Sequence, residues 1–253
     1  MTAFALDLQN VNKLFNSGKF NNDKEVKSVL NDVNLQIREN SIFGLAGLNG
    51  VGKTTMIKLI LDLLSFDSGK IFIFGIDNKI AQSRQNICYL PEKFQPSQYL
   101  TGYEFLDLSL SFYNKKLDKQ TAYDMALKLD FDPNSLKQIV RKYSKGMGQK
   151  LGLMSCLLSD AKLLILDEPM TGLDPKARVA LKETLKEYVK TGKTIFFSSH
   201  ILDDIEEICD EIAILHDGKI LFHNTPSNFM KEYNQNKVEK AFLMCIGDNN
   251  YIN

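Results

Sequence analysis

Apolar and polar positions alternate with a period of two along "FALDLQNVNKLF" and again along "SVLNDVNLQI". This predicts two half-buried strands, joined by the polar connection "NSGKFNNDKE". Three short stretches, "SIFGLA", "KLLILDEP" and "KTIFFSSH", each carry a compact apolar centre and predict buried strands. Behind the first run, "KTTMIKLILDLL" has its apolar residues at helical spacing, and "GKIFIFGID" then reads as a hairpin-like piece. From Phe94 to Ile139 the texture is helical. "TGYE" at Thr101 to Glu104 is a capping box, followed by the amphipathic "FLDLSLSFY" and "QTAYDMALKL". The second buried run leads into the helix "PKARVALKETLKEYVKTG", with Asp174 as cap, Pro175 in its first turn and Gly192 past its end. The third precedes the helical "ILDDIEEI", and "EIAILHDGKILFH" closes through an Asp217-Gly218 hairpin turn. Beyond it, the tail holds one amphipathic segment. Buried strands alternating with helices predict an α/β fold with a mostly parallel sheet.

Composition narrows the classes. Lysine plus arginine balances aspartate plus glutamate at 31 each, so net charge supplies no general attraction to nucleic acid or anionic lipid. No nucleic-acid partner is expected. The best membrane candidate, "MIKLILDLLSF", is interrupted by Lys58 and Asp62 and falls short of the roughly 18–20 apolar residues a span needs. "MTAFALDLQN" has no basic residue ahead of its short apolar patch and carries Asp7, which makes a poor secretion signal. The expectation is a cytoplasmic protein without direct membrane insertion, acting at a membrane only through a separate embedded partner. Cys88, Cys156, Cys209 and Cys245 are far apart with no C-x-x-C pair, so reduced, buried thiols are expected. His200, His216 and His223 show no metal-ligand spacing.

The candidate chemistry begins where the first buried strand ends. "GLNGVGKTT", Gly47 to Thr55, fits G-x-x-x-x-G-K-[ST] between a strand and a helix. Glycines there let successive backbone amides turn inward around an anion, and the following helix aims its positive end at the same point. Gly47, Leu48, Asn49, Gly50, Val51, Gly52, Lys53, Thr54 and Thr55 would wrap a polyphosphate. Lys53 would reach the terminal phosphates, and the Thr54 hydroxyl would ligate Mg2+.

A second apolar strand ending in acid supplies the other half. In "LLILDEP", Asp167 would hold the magnesium through water, and Glu168 would orient and polarise an attacking water. An acidic helix cap is the competing reading of the same two residues.

With further motifs in a fixed order, the chain resembles the ATP-binding subunits of ABC transporters, from the N-terminal strands to about Lys219. "YLPE" (Tyr89 to Glu92) stands where that family keeps its Q-loop, and "YSKGMGQK" (Tyr143 to Lys150) resembles its L-S-G-G-Q signature. "GLDP" (Gly172 to Pro175) is similar to the D-loop, and "SSH" ends at His200, where the family keeps its switch histidine. The resemblance implies a single P-loop ATPase domain over 1–253. Its catalytic core with an N-terminal antiparallel β subdomain would take 1–93 and 160–230, an inserted helical subdomain 94–159, and a tail 231–253. It also implies ATP with Mg2+ ligated by Thr54, Glu92 and Asp167, and a head-to-tail dimer. Each ATP would then lie between one P-loop and the partner chain's signature, here Ser144, Lys145, Gly146 and Met147, with Asp174 in the D-loop. Lys53, Glu168 and His200 would carry catalysis. His200 would hydrogen-bond the γ-phosphate. Phe15 would stack on adenine, with Phe20 as rival. The crowded aromatics Phe94, Tyr99, Tyr103, Phe105, Phe112 and Tyr113 would be mostly helical-subdomain core, with one or two left to dock a permease helix.

Three positions depart from the family pattern. Glu92 replaces glutamine, keeping an oxygen ligand but losing an amide donor. Lys145 and Met147 replace glycine and glutamine, and Lys145 adds a cation beside the nucleotide. "YLPE" and "YSKGM" resemble exporter-type subunits, which favours export over uptake. The leading expectation is therefore an ATPase subunit, peripheral on the inner face of the cell membrane, that energises a separate transmembrane permease as a dimer, most simply a homodimer. A soluble ABC-type ATPase acting on ribosomes or DNA is the alternative. It usually brings a second fused ATPase domain or a long coiled-coil insertion, and this chain shows neither. A non-hydrolysing nucleotide sensor would not need Glu168.

Overall fold

The computed structural model describes residues 3–17 and 25–247. It divides into two compact units, Met1–Asn86 with Phe196–Asn253, and Ile87–Ile195. In chain order the first unit opens with β1 (Phe4–Ser17), β2 (Glu25–Arg38), β3 (Ile42–Ala46), α1 (Lys53–Ile60), β4 (Ser68–Ile73) and β5 (Ile76–Asp77). The second contains β6 (Ile87–Leu90), α2 (Gly102–Ser111), α3 (Lys119–Lys128), α4 (Lys145–Ser159), β7 (Leu163–Asp167) and α5 (Pro175–Lys190). β8 (Thr194–Ser199) returns the chain to the first unit. There α6 (Leu202–Ile208), β9 (Glu211–His216), β10 (Lys219–Asn224), α7 (Pro226–Glu232) and α8 (Val238–Cys245) complete it.

In the first unit an antiparallel sheet runs in the order β2-β1-β4-β5, with Leu8 opposite Leu35 on one side and Ile71 on the other. The pairing of β1 with β2 shifts register at several points. Register shifts between Leu8 and Val11, where Asn10 takes φ 50°, so both residues face inward although three positions apart. A bulge reverses strand parity in this way. The amide of Asn10 is satisfied by Asn34 Oδ1 at 2.9 Å. A parallel-rich sheet supplies the other layer. β3 pairs with β9 in parallel, and β9 turns through Asp217 and Gly218 into antiparallel β10, as the hairpin signal predicts. All five residues of β3 are buried, as a parallel strand covered on both faces requires.

Helix α1 is shorter than its apolar spacing predicts. It ends at Ile60 because Leu63 N–H turns back to the Lys58 carbonyl (2.9 Å) while Asp62 adopts φ 56°. This closure caps the helix and leaves Leu63 exposed.

In the second unit β6 and β7 pair in parallel, Leu90 beside Leu166, and all of β7 is buried. The Thr101 capping box is present: Glu104 N–H donates to Thr101 Oγ1 (3.3 Å), and Thr101 N–H donates to Glu104 Oε2 (2.8 Å). The stretch Phe94 to Ile139 is less helical than its texture suggests. Only α2, α3 and the 3-10 turn Pro133–Lys137 are helical within it, and Ile139 makes a β-bridge to Thr101. Phe94 and Phe105 pack edge to face at 5.8 Å, and Tyr113 donates its hydroxyl to the Ile87 carbonyl at 3.0 Å. Tyr99 and Phe112, 91% and 79% exposed, stand outside that packing.

Cys88 and Cys156 are buried, Cys209 and Cys245 partly so, and all four are free thiols. Among the described residues no helix is long and apolar enough to cross a membrane.

Candidate functional site

In the first unit the phosphate-loop residues occupy a tight turn between β3 and α1. Gly50 and Gly52 have φ of 83° and 114°, backbone that residues with a Cβ rarely adopt. A Cβ on Gly47 would sit 2.6 Å from the Leu215 carbonyl oxygen of β9, so the loop's entry also tolerates no side chain. Gly52 is the N-cap of α1 and provides no side-chain cap, and the positive end of the helix opens on the loop. Leu48, Asn49 and Gly50 are exposed at the tip. Lys53 is buried, and its Nζ donates to the carbonyls of Gly47 (2.7 Å) and Leu48 (3.3 Å). The loop thereby holds the ammonium across its own mouth. Thr54 and Thr55 follow in the first turn of α1 and are partly buried.

His200 lies exposed directly after β8, whose six residues are buried. The chain turns there because Ser199 Oγ accepts the Ile201 amide at 3.0 Å ahead of α6. Phe15 stands on β1, 40% exposed, with Lys13 Nζ 5.1 Å from its ring centroid. Phe20 lies outside the described residues.

In the second unit β7 delivers Asp167 and Glu168, 1% and 6% exposed. Glu168 takes φ 52°, and its carbonyl accepts the Thr171 amide at 3.1 Å. The pair is therefore no helix cap; α5 starts later and is capped by Asp174, which accepts the Ala177 amide at 3.0 Å. Glu92 is exposed just beyond β6. Burial pushes the Tyr89 phenol up to about 12, and the Asp167 and Glu92 carboxylates add to the rise. Both acids thus act electrostatically on one hydroxyl.

Ser144 caps α4 by accepting the Met147 amide at 3.2 Å. Lys145 is exposed with its methylenes along Gly172. A Cβ on Gly146 would meet the Gly172 carbonyl oxygen at 3.0 Å. The signature and D-loop segments are therefore in direct contact within this unit. Ser144, Gly146, Met147 and Asp174 line one cavity of about 210 Å³, together with Lys150. A second, of about 450 Å³, is bordered by Glu92, Phe94, Ser144, Lys145, Gln149 and Thr171.

Two residues the motif reading passed over belong to this cluster. Gln149 Nε2 donates to the Pro169 carbonyl at 3.2 Å. Lys150 Nζ donates to the Asp130 carbonyl at 2.6 Å and lies 3.8 Å from the Asp174 carboxylate. Both stand inside the quoted signature string, yet their partners are twenty or more residues distant. Only their burial on a polar helix start would have marked them.

Known proteins resemble this chain in sequence and in fold. The profile of the ABC transporter family matches residues 30–171. An uncharacterized ABC transporter ATP-binding protein of Nostoc sp. is 38% identical over 213 residues, 83% of this chain and 63% of that protein. The bacitracin transport ATP-binding protein of Bacillus licheniformis is 35% identical, covering 82% of this chain and 68% of that one. A solved ATP-binding subunit of an ABC transporter superposes with a TM-score of 0.82 at 27% identity, over 95% of this chain and 99% of that one. The chain spans somewhat under two thirds of the length of the Nostoc relative.

Proposed function

Since this chain belongs to the ABC transporter family of ATP-binding proteins, we propose that it binds and hydrolyses ATP to energise a separate transmembrane permease. The observation that carries this reading is the loop from Gly47 to Thr55. A fully buried strand, two glycines in left-handed backbone and a lysine held over the loop carbonyls make a cradle for a polyphosphate.

In this reading the loop amides and Lys53 bind the β- and γ-phosphates, and Phe15 stacks on adenine. Thr54, Glu92 and Asp167 offer only hydroxyl and carboxylate oxygens, the donor chemistry that suits Mg2+. Such an ion offsets the negative charge of the phosphates. Glu168 orients the attacking water and takes its proton, while His200 donates to the γ-phosphate. Two chains close head to tail, and Ser144, Lys145, Gly146 and Met147 of each meet the nucleotide of the other, with Asp174 beside them. ATP closes the pair and product release reopens it, a rigid-body movement driven by phosphate contacts.

The subunit would work on the cytoplasmic face of the membrane. Tyr99 and Phe112, the exposed members of the aromatic group from Phe94 to Tyr113, are available to a permease helix. Glu92 and the "YSKGM" signature favour export, and similarity to a bacitracin transport protein supports a transport role. The domain reading stands alongside: one ATPase domain with its core in 1–93 and 160–230, a helical subdomain in 94–159 and a tail in 231–253.

Phosphate release measured against protein concentration tests the proposal. A rate rising more steeply than linearly, with copurification of a polytopic membrane protein, is the expected result. A rate strictly proportional to concentration, or copurification with ribosomes instead, overturns it.

A further inference from the structure

We infer that Gln149 is a positioning residue for the catalytic carboxylate of Glu168, acting through the main chain of Pro169. The inference rests on the ATP-hydrolysis reading above.

Glu168 takes φ 52°, a conformation disfavoured for any residue with a Cβ. The proline that follows adds to the cost, because the residue ahead of a proline is steered towards extended backbone. Strain of this kind persists only where the surroundings over-determine it. Upstream, β7 is buried along its whole length and leaves its last residues no freedom. Downstream, the Thr171 amide donates to the Glu168 carbonyl at 3.1 Å and closes the turn. The carbonyl of Pro169 is what this local turn does not hold. Gln149 Nε2 reaches it at 3.2 Å, from the second turn of α4, in a buried contact. An amide–carbonyl bond shielded from water is strong and directional, so it fixes the peptide beyond Glu168 and with it the direction of the side chain.

Two neighbouring contacts brace the same turn. Lys150, the next residue of α4, lies 3.8 Å from the Asp174 carboxylate while its Nζ is anchored at 2.6 Å to the Asp130 carbonyl. Gly146, one turn earlier, backs directly on the Gly172 carbonyl. The start of α4 therefore grips residues 169, 172 and 174, and Gln149 is its contact closest in sequence to the reacting carboxylate.

The test is steady-state ATP hydrolysis by the full chain carrying Gln149→Glu or Gln149→Lys, each alone and combined with Glu168→Gln. Glutamate has the same shape but, when ionised, only accepts hydrogen bonds, whereas lysine keeps a donor of similar reach. Expected for Gln149→Glu is a kcat lower by ~10- to 100-fold with KM within about 3-fold, the pattern of a misplaced catalytic group. Gln149→Lys should recover most of the rate. In the Glu168→Gln background Gln149→Glu should lower the residual rate no further, because the two act as a unit. Should Gln149→Glu fail to fold, Gln149→Met removes the donor without adding charge and carries the same comparison. An unchanged kcat, or an equal loss in both backgrounds, overturns the inference. A wild-type chain with no hydrolysis instead removes the ATPase reading beneath it.

Discussion

The ammonium of Lys53 donates to the main-chain carbonyl of Gly47 at 2.7 Å, so the loop is closed by its own cation. A charge-assisted bond of this kind is worth ~1.5–3 kcal/mol. Lys53→Met should therefore weaken ATP binding by ~10- to 100-fold, since the same group would leave the carbonyl for the phosphates. Titration calorimetry reads the change. Equal affinity in the variant would mean that the loop amides alone hold the nucleotide.

Glu168→Gln should bind ATP about as well as the wild type, lose at least ~100-fold in turnover and accumulate as a dimer with ATP. Phosphate release together with light scattering after nucleotide addition measures both. Full residual hydrolysis would assign the water-positioning role to another group.

Asp174 is both the N-cap of α5 and part of the D-loop segment, and the two roles separate experimentally. Loss of the cap in Asp174→Ala should cost ~1 kcal/mol, a drop of about 2–4 °C in Tm. Asp174→Ser restores a cap without the charge near Lys150. If Tm recovers in the serine variant while hydrolysis does not, the carboxylate matters beyond capping.

Acid should destabilise the fold through particular carboxylates. The Lys176 ammonium, 2.6 Å away, and Lys150 hold Asp130 below the ordinary range, and Lys193 with Lys115 does the same for Asp160. A depressed folded-state pKa contributes stability that is complete above the unfolded value, ~4, and lost as pH falls through the folded value. Melting temperature should therefore be flat near neutrality and fall below about pH 4. Asp130→Asn should lower it at pH 7, with the difference from wild type shrinking in acid. A constant difference at every pH would refute the assignment.

Lys145→Gly should weaken ATP binding and flatten its dependence on salt, because an exposed cation acts through a screened field. Affinity and salt slope identical to wild type would leave Lys145 with no part in binding.

How much of this was legible in the chain follows from range. The phosphate loop, the acids ending β7 and the caps Thr101 and Asp174 are written within a few consecutive residues, where local chemistry decides. The two fully buried strands flanking them were equally plain, since a short apolar run bounded by turn signals is too brief for a helix and suits a strand covered on both faces. Helix α1 was over-read because the bond from Leu63 back to Lys58 outweighs an apolar spacing that continues past it. The stretch after Phe94 was over-read because its aromatics pack across a loop, Phe94 against Phe105, and not along one helix face. Gln149 and Lys150 escaped notice since their bonds reach Pro169 and Asp130, each twenty positions away. Such pairings are created by the fold and have no local pattern.

The contact of Gly146 with the Gly172 carbonyl divides the signature into positions with very different freedom. A methyl group at 146 would crowd the Gly172 carbonyl oxygen at 3.0 Å, whereas one at 148 would meet nothing within 4 Å. Saturating both codons and selecting for function should return a narrower set, led by glycine, at the first and a broad alphabet at the second. On this view Gly146 is the steric keystone of the segment, and the lysine and methionine beside it are free to differ in chemistry while still facing the nucleotide.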